Sequence, residues 1–341
     1  MTSATTLALP SKGAIADPTL NFLRDCGLAV YKPNDRQYVG EIPVVQSLNV
    51  LFQRATDVLY KVADGTAQLG ITGLDIVREH PHEDVIVIHE TLGYGHCSLV
   101  VAVPEMWVDV ENMLDIEDIA LDFRENKGRN LRIATKYPTL TRQFLHSRGI
   151  HHFTLVKAEG AIEAAPTLGY ADIIIDLTQT GTTLRENHLK WFTDGVILDS
   201  QACFIGNQSA LRNNPETLET THVILERMDA ATQGKKYYQI IANIHGESPQ
   251  DVAKLVSTIP ETRGLQGPTI APIYPYNGGD SSHEMWYTIT IIIDSRNLLK
   301  AVEHLRRIGG TQVIVSPVRY VFMEDSPTFT RLLTTLNSTE I

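Results

Sequence analysis

Ala171-Asp-Ile-Ile-Ile-Asp-Leu-Thr-Gln-Thr-Gly-Thr-Thr-Leu-Arg-Glu-Asn187 is the stretch that says most about the fold of this 341-residue chain. An apolar strand ends in a carboxylate, Asp176, and a loop of hydroxyl side chains around Gly181 follows. Thr183 and Glu186 have the spacing of a capping box, which predicts that a helix begins at this loop. Free backbone N–H groups at such a helix start, with the helix dipole behind them, favour binding of a phosphate monoester.

The acidic residues of this strand predict a second feature of the ligand. Asp172 and Asp176 are four residues apart, so they should share one face of the strand, with Asp176 nearer to the loop. N–H groups for a phosphate and carboxylates for a diol match the 5′-phosphate and ribose hydroxyls of phosphoribosyl pyrophosphate. An ordinary strand, turn and capped helix accounts for the same spacing, so spacing alone leaves both interpretations open.

Strands and helices alternate from the start of the chain, which is typical of α/β proteins. The predicted strands are Thr6–Leu9, Val50–Phe52 and Leu69–Ile71, and the predicted helices are Pro18–Cys26 with Asp17 as N-cap, Thr56–Ala63 and one after Leu74. A polar, charge-rich stretch from Glu111 to Asn130 interrupts this alternation.

The same alternation restarts after Asn130 and predicts a second α/β lobe. Its predicted strands are Leu131–Ala134, Phe153–Val156 and Ala171–Leu177. The first predicted helix runs through Phe144 and is ended by Gly149, the second covers Ile162–Thr167, and the third begins at Leu184. Val196–Ile205 is interpreted as two strands that return the chain to the first lobe before a helix near Pro215–Met228. Ligands of open α/β sheets lie beyond the carboxyl ends of the strands, so we expect the site between the lobes.

From Lys235 onward the predicted order of elements is βαββαβ, the ferredoxin-like unit. The predicted strands are Tyr237–Ile244, Thr269–Ile273, Trp286–Ile293 and Gln312–Val315, and the predicted helices are Gln250–Ser257 and Asn297–Ile308. By analogy of fold, such a domain at the end of an enzyme could bind a small effector.

Composition argues against several classes of function. The formal net charge of −11 argues against nucleic-acid and anionic-membrane partners. Cys26, Cys97 and Cys203 have no ligand spacing, which favours reduced thiols of a cytosolic protein over a disulfide framework. No apolar run approaches the ~20 residues that cross a bilayer, and we expect a cytoplasmic protein without a targeting segment.

Two further motifs were tested for other chemistry. Gly93-Tyr-Gly-His-Cys-Ser98 is similar to a dinucleotide-binding fingerprint, but it leads into a strand at Leu99–Val103 instead of a helix. His80, His82 and Glu83 lie in a polar loop without helical spacing, so we expect no metal site there. A two-lobed solute-binding or sensor protein without catalysis stays open as an alternative on architecture alone.

The stretch 171–187 resembles the phosphoribosyl pyrophosphate loop of the ATP phosphoribosyltransferases, and the resemblance runs through almost the whole chain. The further matching motifs are Leu9-Pro-Ser-Lys-Gly13, Arg54 with Asp57, Leu69-Gly-Ile-Thr-Gly73 with Asp75, Ala134-Thr-Lys-Tyr-Pro138, Gly160 with Glu163-Ala-Ala-Pro166, and Gly264-Leu-Gln-Gly-Pro-Thr-Ile270. Gly95-His-Cys97 and Ser316-Pro317 with Glu324-Asp-Ser-Pro327 resemble the long, plant-type form.

The resemblance implies a two-lobed, periplasmic-binding-protein-like catalytic region and a carboxy-terminal ferredoxin-like domain that senses histidine. The implied domains are lobe I at 1–97, completed by about 196–230, lobe II at 98–195 and the regulatory domain at 231–330. The implied reaction opens histidine biosynthesis: N1 of ATP attacks the anomeric carbon of phosphoribosyl pyrophosphate and displaces pyrophosphate. It also implies Mg²⁺ held mainly by the substrates, allosteric inhibition by histidine, and a homo-oligomer, either a hexamer or a dimer.

Site residues are carried over from the family motifs position by position. Glu163 and Asp176 are the implied catalytic residues. The implied contacts to phosphoribosyl pyrophosphate are Asp172, Asp176, Thr178, Thr180, Gly181, Thr182, Thr183 and Leu184. The implied contacts to ATP or pyrophosphate are Lys12, Gly13, Arg54, Asp57, Gly73 and Tyr137.

Two positions depart from the family pattern. Ala14 stands where the family loop usually has arginine, which removes a guanidinium expected to contact phosphate. Gln68 stands where the family tends to have aspartate before Leu-Gly-Ile. From both departures we expect a change in substrate affinity or rate.

Overall fold

Three β-sheets organise the chain, and the computed structural model describes residues 5–34, 37–158, 160–274 and 285–338. One structural unit contains the residues up to Thr221 together with those from Leu332 on, and a second unit covers His222–Arg331. The first unit holds two of the sheets and the second unit holds the third. No helix in the described ranges is long and apolar enough to span a membrane.

The strands, in chain order, are β1 (Thr5–Pro10), β2 (Val39–Glu41), β3 (Leu48–Gln53), β4 (Leu69–Gly73), β5 (Val85–His89), β6 (Cys97–Pro104), β7 (Leu131–Thr135), β8 (Phe153–Lys157), β9 (Ile173–Thr178), β10 (Leu189–Ser200), β11 (Ala202–Asn207), β12 (Tyr237–Gly246), β13 (Thr269–Pro272), β14 (Met285–Asp294) and β15 (Thr311–Pro317).

The α-helices, in chain order, are α1 (Ala16–Asp25), α2 (Ala55–Ala63), α3 (Leu74–Glu79), α4 (Met113–Asn126), α5 (Pro138–Ser147), α6 (Ala165–Leu168), α7 (Thr182–Glu186), α8 (Gln208–Asn213), α9 (Pro215–Gly234), α10 (Pro249–Val256), α11 (Leu298–Arg307) and α12 (Pro327–Ser338).

The first sheet forms lobe I and has the strand order β2-β3-β1-β4-β11-β5. β1 pairs in parallel with β3 and β4, whereas β11 is antiparallel to β4 and β5. Because β11 follows β10 of the other lobe, its pairing with β4 ties the returning chain into lobe I. α2 packs so closely on this sheet that a Cβ at Gly70 would lie 2.7 Å from Val58, which explains the glycine there.

The second sheet forms lobe II and has the order β10-β6-β9-β7-β8. β7 is parallel to β8 and β9, so these three strands end at the same edge. β6 runs antiparallel between β9 and β10. The core of this lobe is built from apolar residues of the sheet and of α4 and α5. The phosphate-loop stretch therefore follows a central strand of a buried sheet.

The third sheet, in the second structural unit, is antiparallel and has the order β13-β14-β12-β15. With α10 between β12 and β13, and α11 between β14 and β15, its chain order is βαββαβ. The fold class predicted from the sequence is confirmed: two α/β lobes of the periplasmic-binding-protein type and a ferredoxin-like domain.

The expectation that the polar stretch Glu111–Asn130 interrupts the alternation of strands and helices is wrong, because this stretch contains α4. Asn112 caps the helix and forms a reciprocal capping box with Asp115. Met113, Ile116, Ala120 and Phe123 recur at helical spacing and are buried. Charges on the opposite face of the helix concealed this narrow apolar stripe.

Two predicted caps are also wrong. α1 begins at Ala16 with Ile15 at the N-cap, so Asp17 lies in the first turn, where the helix dipole still favours an acid. α7 begins at Thr182 with Gly181 at the N-cap and no side-chain cap, so the capping box of Thr183 and Glu186 does not form. The helix nevertheless starts at the predicted loop.

Candidate functional site

A pocket in the first structural unit lies at the carboxyl ends of β1, β4 and β9. Its lining residues come from the loops after strands of both lobes: Lys12, Gly13, Ala14, Ile15, Ala55, Gly73, Asp75, Ile76, Gly95, Cys97, Tyr137, Leu177, Thr178 and Gln179. This is the position at which open α/β sheets bind their ligands. Of the residues carried over from the family motifs, Lys12, Gly13, Gly73, Tyr137 and Thr178 line it.

A buried carboxylate, that of Asp75, joins the parts of the pocket wall. Asp75 is only 5% exposed. Tyr137 donates its O–H to Asp75 Oδ2 over 2.8 Å, and Ser200 donates its O–H to Asp75 Oδ1 over 2.8 Å. The backbone N–H of Asp75 donates to Ser200 Oγ over 2.9 Å. The contacts connect α3 of lobe I with the start of α5 in lobe II and with the end of β10.

The same carboxylate explains the glycine at the end of β4. A Cβ on Gly73 would lie 2.3 Å from Asp75 Oδ1, because the carboxylate folds back over the helix start. Burial, and then the Asp75 charge, raise the pKa of Tyr137, so this phenol stays protonated and donates. Burial and Asp75 also raise the pKa of the Cys97 thiol to about 11.

The hydroxyl loop after β9 is held by its own side chains. Thr178 Oγ1 accepts the N–H of Gly181 over 2.9 Å, and the Thr180 and Thr182 hydroxyls lie 2.9 Å apart. Gly181 has a φ of +73°, a conformation that glycine adopts readily. Arg185 donates its N–H to Gly181 O, and among the described residues none accepts the N–H groups of Thr182, Thr183 or Leu184.

Asp176 lies two residues before this loop and is partly buried. Burial raises its pKa, and the nearby Glu163 raises it further. The N–H of Leu177, which donates to Asp176 Oδ1 over 2.9 Å, and the charge of Lys136 oppose this shift without cancelling it. A carboxylate in this setting gains from a cation placed beside it.

Asp172 is the predicted site residue that the structure places elsewhere. It directly precedes β9, at the end of the strand opposite to the loop. The prediction that it shares a face with Asp176 depended only on their spacing of four residues. Arg129 donates to both of its oxygens over 2.6 and 2.9 Å, and Arg132 Nη2 donates over 3.0 Å. These guanidiniums hold the pKa of Asp172 far below its usual range, and no oxygen is left for a ribose. The position and the arginine partners of Asp172 therefore do not support its predicted contact with the ligand.

Other predicted residues lie near the pocket without lining it. Arg54 is the N-cap of α2 and directly precedes the lining residue Ala55, and Asp57 is exposed in the first turn of that helix. Glu163 lies in a short 3-10 turn at Ile162–Ala164. Leu184 is buried in the lobe II core, so only its backbone could face a ligand.

The sequence reasoning did not include several functional candidates in the site. Asp75 appeared in a family motif but received no role, and Ser200 and Gln179 were not considered. Gln68, one of the two departures, is structural: its Oε1 accepts from the N–H of Thr6 and its Nε2 donates to Gly65 O, both over 2.9 Å. Ala14, the other departure, lines the pocket.

No group of three or more His, Cys, Asp or Glu side chains is arranged to hold a metal ion in ranges 5–34, 37–158, 160–274 and 285–338. The fold and the pocket together define a two-lobed α/β protein with a cleft at the ends of its strands and an added ferredoxin-like domain.

Comparison with known proteins identifies the family. The family model "ATP phosphoribosyltransferase" matches residues 54–230, and the model "HisG, C-terminal domain" matches residues 234–320. The Arabidopsis thaliana protein "ATP phosphoribosyltransferase 2, chloroplastic" is 42% identical over 97% of this chain and 80% of its own length. The ATP phosphoribosyltransferase of Nitrobacter winogradskyi is 34% identical over 97% of this chain and 98% of its own.

A solved "ATP phosphoribosyl transferase (HisG:HisZ) complex from Thermotoga maritima" covers 66% of this chain and 96% of its own, with 24% identity and a TM-score of 0.49. The chain belongs to the ATP phosphoribosyltransferase family. Its function is the first step of histidine biosynthesis, and its substrates are ATP and phosphoribosyl pyrophosphate.

Because Asp172 is paired with arginines, we expect Asp172→Asn to weaken the fold and leave substrate binding intact. Breaking a buried ion pair costs ~3–5 kcal/mol. Arg129 and Arg132 stay 40% and 34% exposed, so we expect a smaller loss, of roughly 2 kcal/mol. Urea unfolding at pH 7 should show this loss. The difference from wild type should shrink as the pH falls through the lowered folded-state pKa, where the wild-type pair is lost as well. Weaker phosphoribosyl pyrophosphate binding by a stably folded variant would contradict the assignment.

Proposed function

We propose that the transfer takes place in the pocket at the ends of β1, β4 and β9, with the ribosyl phosphate on the β9 loop and the nucleotide against Lys12, Gly13 and Tyr137. The observation that carries this proposal is the convergence of Lys12, Tyr137 and Thr178 on one cavity, although Lys12 of lobe I is more than a hundred residues from both lobe II residues in sequence. Family membership supplies the reaction, and this geometry supports its location.

The chemistry asks the site mainly for positioning and charge. Adenine N1 is already a lone-pair nucleophile, so no strong general base is needed. The site must hold two polyanions close together and stabilise positive charge that develops on the ribose. Lys12 provides an ammonium for phosphate oxygens, and the hydroxyls and free N–H groups of 180–184 provide donors for the 5′-phosphate.

Asp176 and Glu163 are the proposed catalytic carboxylates. Their mutual repulsion and the burial of Asp176 make an adjacent cation favourable. An oxocarbenium-like ribosyl centre is such a cation, so stabilisation grows as the bond to pyrophosphate breaks. Before that step, the proposed role of Asp176 is to accept hydrogen bonds from the ribose hydroxyls.

Mg²⁺ is the proposed cofactor. The carboxylate of Asp75, which lines the pocket, and that of Asp176, which directly precedes the lining residue Leu177, fit a minor role for the protein in holding the ion. Both oxygens of Asp75 already accept hydrogen bonds, from Tyr137 and Ser200. Asp176 uses Oδ1 for the N–H of Leu177, and its Oδ2 accepts no hydrogen bond from the described residues. Asp176 could therefore contribute one oxygen, with the remaining ligands from substrates and water. The ion would neutralise charge on the leaving pyrophosphate.

We expect Asp176→Asn to lower kcat/KM at least about tenfold, because a hydrogen bond to a charged group is worth ~1.5–3 kcal/mol. The measurement is pyrophosphate release, which should require both substrates. Since the pKa of Asp176 is raised, wild-type activity should decline on acidification at a pH above the ordinary value of ~3.9, and the variant should lack this decline.

Asp172→Asn is the matched control for this experiment, because it makes the same change directly before the opposite end of β9. It should keep near-wild-type kinetics. Equal kinetics of the two variants would refute the role of Asp176. Release of no pyrophosphate by the wild-type chain would instead favour a two-lobed binding protein without catalysis.

We also propose that the ferredoxin-like domain binds histidine and inhibits the enzyme from a site separate from the pocket. Its distinct fold and its match to the family's C-terminal domain model support this. A truncated chain is a poor test, because residues from Leu332 on belong to the catalytic unit, where Leu336 O accepts from Arg212 over 2.8 Å.

With the full chain, histidine at millimolar concentration should lower the maximal rate without competing with phosphoribosyl pyrophosphate. A coupling of the usual size between two sites, ~1–3 kcal/mol, would lower the maximal rate about five- to 150-fold at saturating histidine. Steady-state kinetics at several substrate concentrations measures this. Strict competition, or no response, would contradict the proposed regulation.

The domain division at 1–97 with about 196–230, 98–195 and 231–330, assembly as a dimer or hexamer, and a cytoplasmic location are also proposals. The Arabidopsis relatives carry "chloroplastic" in their names. Fractionation and light scattering of the native protein would test location and assembly.

A further inference from the structure

A second carboxylate on α3, that of Glu79, reaches across from lobe I to lobe II. Its residue is only 2% exposed. Its Oε1 accepts the N–H of Thr139 over 2.8 Å, and its Oε2 accepts the N–H of Leu140 over 3.0 Å. These two donors belong to the first turn of α5. Glu79 therefore caps a helix of the other lobe, 60 residues further along the chain.

The sequence of α5 provides no cap of its own. Its N-cap residue, Tyr137, makes no side-chain capping bond, and the first turn contains no acidic residue. The first turn of any helix leaves backbone N–H groups without helical partners. The Glu79 carboxylate satisfies two of them and places a negative charge at the positive end of the helix dipole.

The capped residues adjoin the pocket. Tyr137, which lines the pocket, immediately precedes α5, and its O–H donates to Asp75 Oδ2 over 2.8 Å. Asp75 and Glu79 are four residues apart on α3, so they lie on one face of that helix. Asp75 therefore binds the phenol O–H of Tyr137, and Glu79 binds backbone N–H groups two and three residues after it.

We propose that Glu79 is a positioning residue for the transfer reaction: it closes α3 of lobe I onto the start of α5 and so fixes Tyr137 in the pocket wall. This role rests on the proposed location of the reaction. Glu79 itself does not line the pocket, and it acts through α5 and Tyr137.

The test is a double-mutant cycle in the full chain, with pyrophosphate release as the readout. Glu79→Ala should lower kcat/KM about ten- to hundredfold, because small displacements of binding groups have effects of this size. Glu79→Gln, which keeps one acceptor oxygen, should fall in between. Glu90→Gln is the matched control: Glu90 is half-exposed and pairs with Arg78, so its kinetics should equal those of wild type.

The cycle separates positioning from a general structural role. In a Tyr137→Phe background, which removes the bond to Asp75, removal of Glu79 should cost much less than in wild type, because both changes release the same residue. Circular dichroism and thermal unfolding should show each variant folded at the assay temperature.

Three results would overturn the proposal: near-wild-type kinetics of Glu79→Ala, a loss matched by Glu90→Gln, or strictly additive effects of Glu79→Ala and Tyr137→Phe. If the wild-type chain itself released no pyrophosphate from the two substrates, the proposed function would fail, and the role of Glu79 with it. An active wild type with an unaffected Glu79→Ala variant would overturn this role alone.

Discussion

The candidate site depends on the hydrogen bonds that the buried carboxylate of Asp75 accepts. The carboxylate accepts hydrogen bonds from Tyr137 of lobe II and from Ser200 at the end of β10, while its own helix belongs to lobe I. Burial of a carboxylate without hydrogen-bond donors costs folding free energy. Lobe I and lobe II must therefore pack together so that the hydroxyls of Tyr137 and Ser200 reach Asp75. The pocket wall is thus a consequence of satisfying one buried charge.

This constraint links the sequence motif to the topology. Gly73 lacks a side chain because the carboxylate of Asp75 occupies that space. Ser200 reaches Asp75 because β10 ends beside α3 before β11 joins the lobe I sheet. Glu79, one turn after Asp75, makes the other contact of α3 with α5. One short helix therefore carries both of the acids that bind lobe II.

The sequence predicted those strands and helices whose residue pattern lies within the element itself. The apolar run 173–175 and the hydroxyl loop around Gly181 predicted β9 and the start of α7. The pattern of the residues from Lys235 onward predicted the βαββαβ order. The failures came from residues distant in sequence. Nothing near Asp172 shows that Arg129 and Arg132 will bind it, and nothing near Asp75 points to Ser200, 125 residues away. The sequence analysis missed α4, although Asn112 and Asp115 form its start signal, because its surface charges hide the narrow apolar stripe of the helix.

The most direct test of this account is the affinity for ATP of a Ser200→Ala variant, measured by isothermal titration calorimetry. Ser200 is buried and does not line the pocket; its hydroxyl donates to the Asp75 carboxylate and also interacts with the Cys97 thiol, so it can alter the site only through these two lining residues. Ser98→Ala, which removes an exposed hydroxyl bonded to Asp199, is the control. The account predicts about tenfold weaker binding for Ser200→Ala, since an unsatisfied buried group costs ~1–3 kcal/mol, and unchanged binding for the control. Equal, wild-type affinity of both folded variants would contradict it.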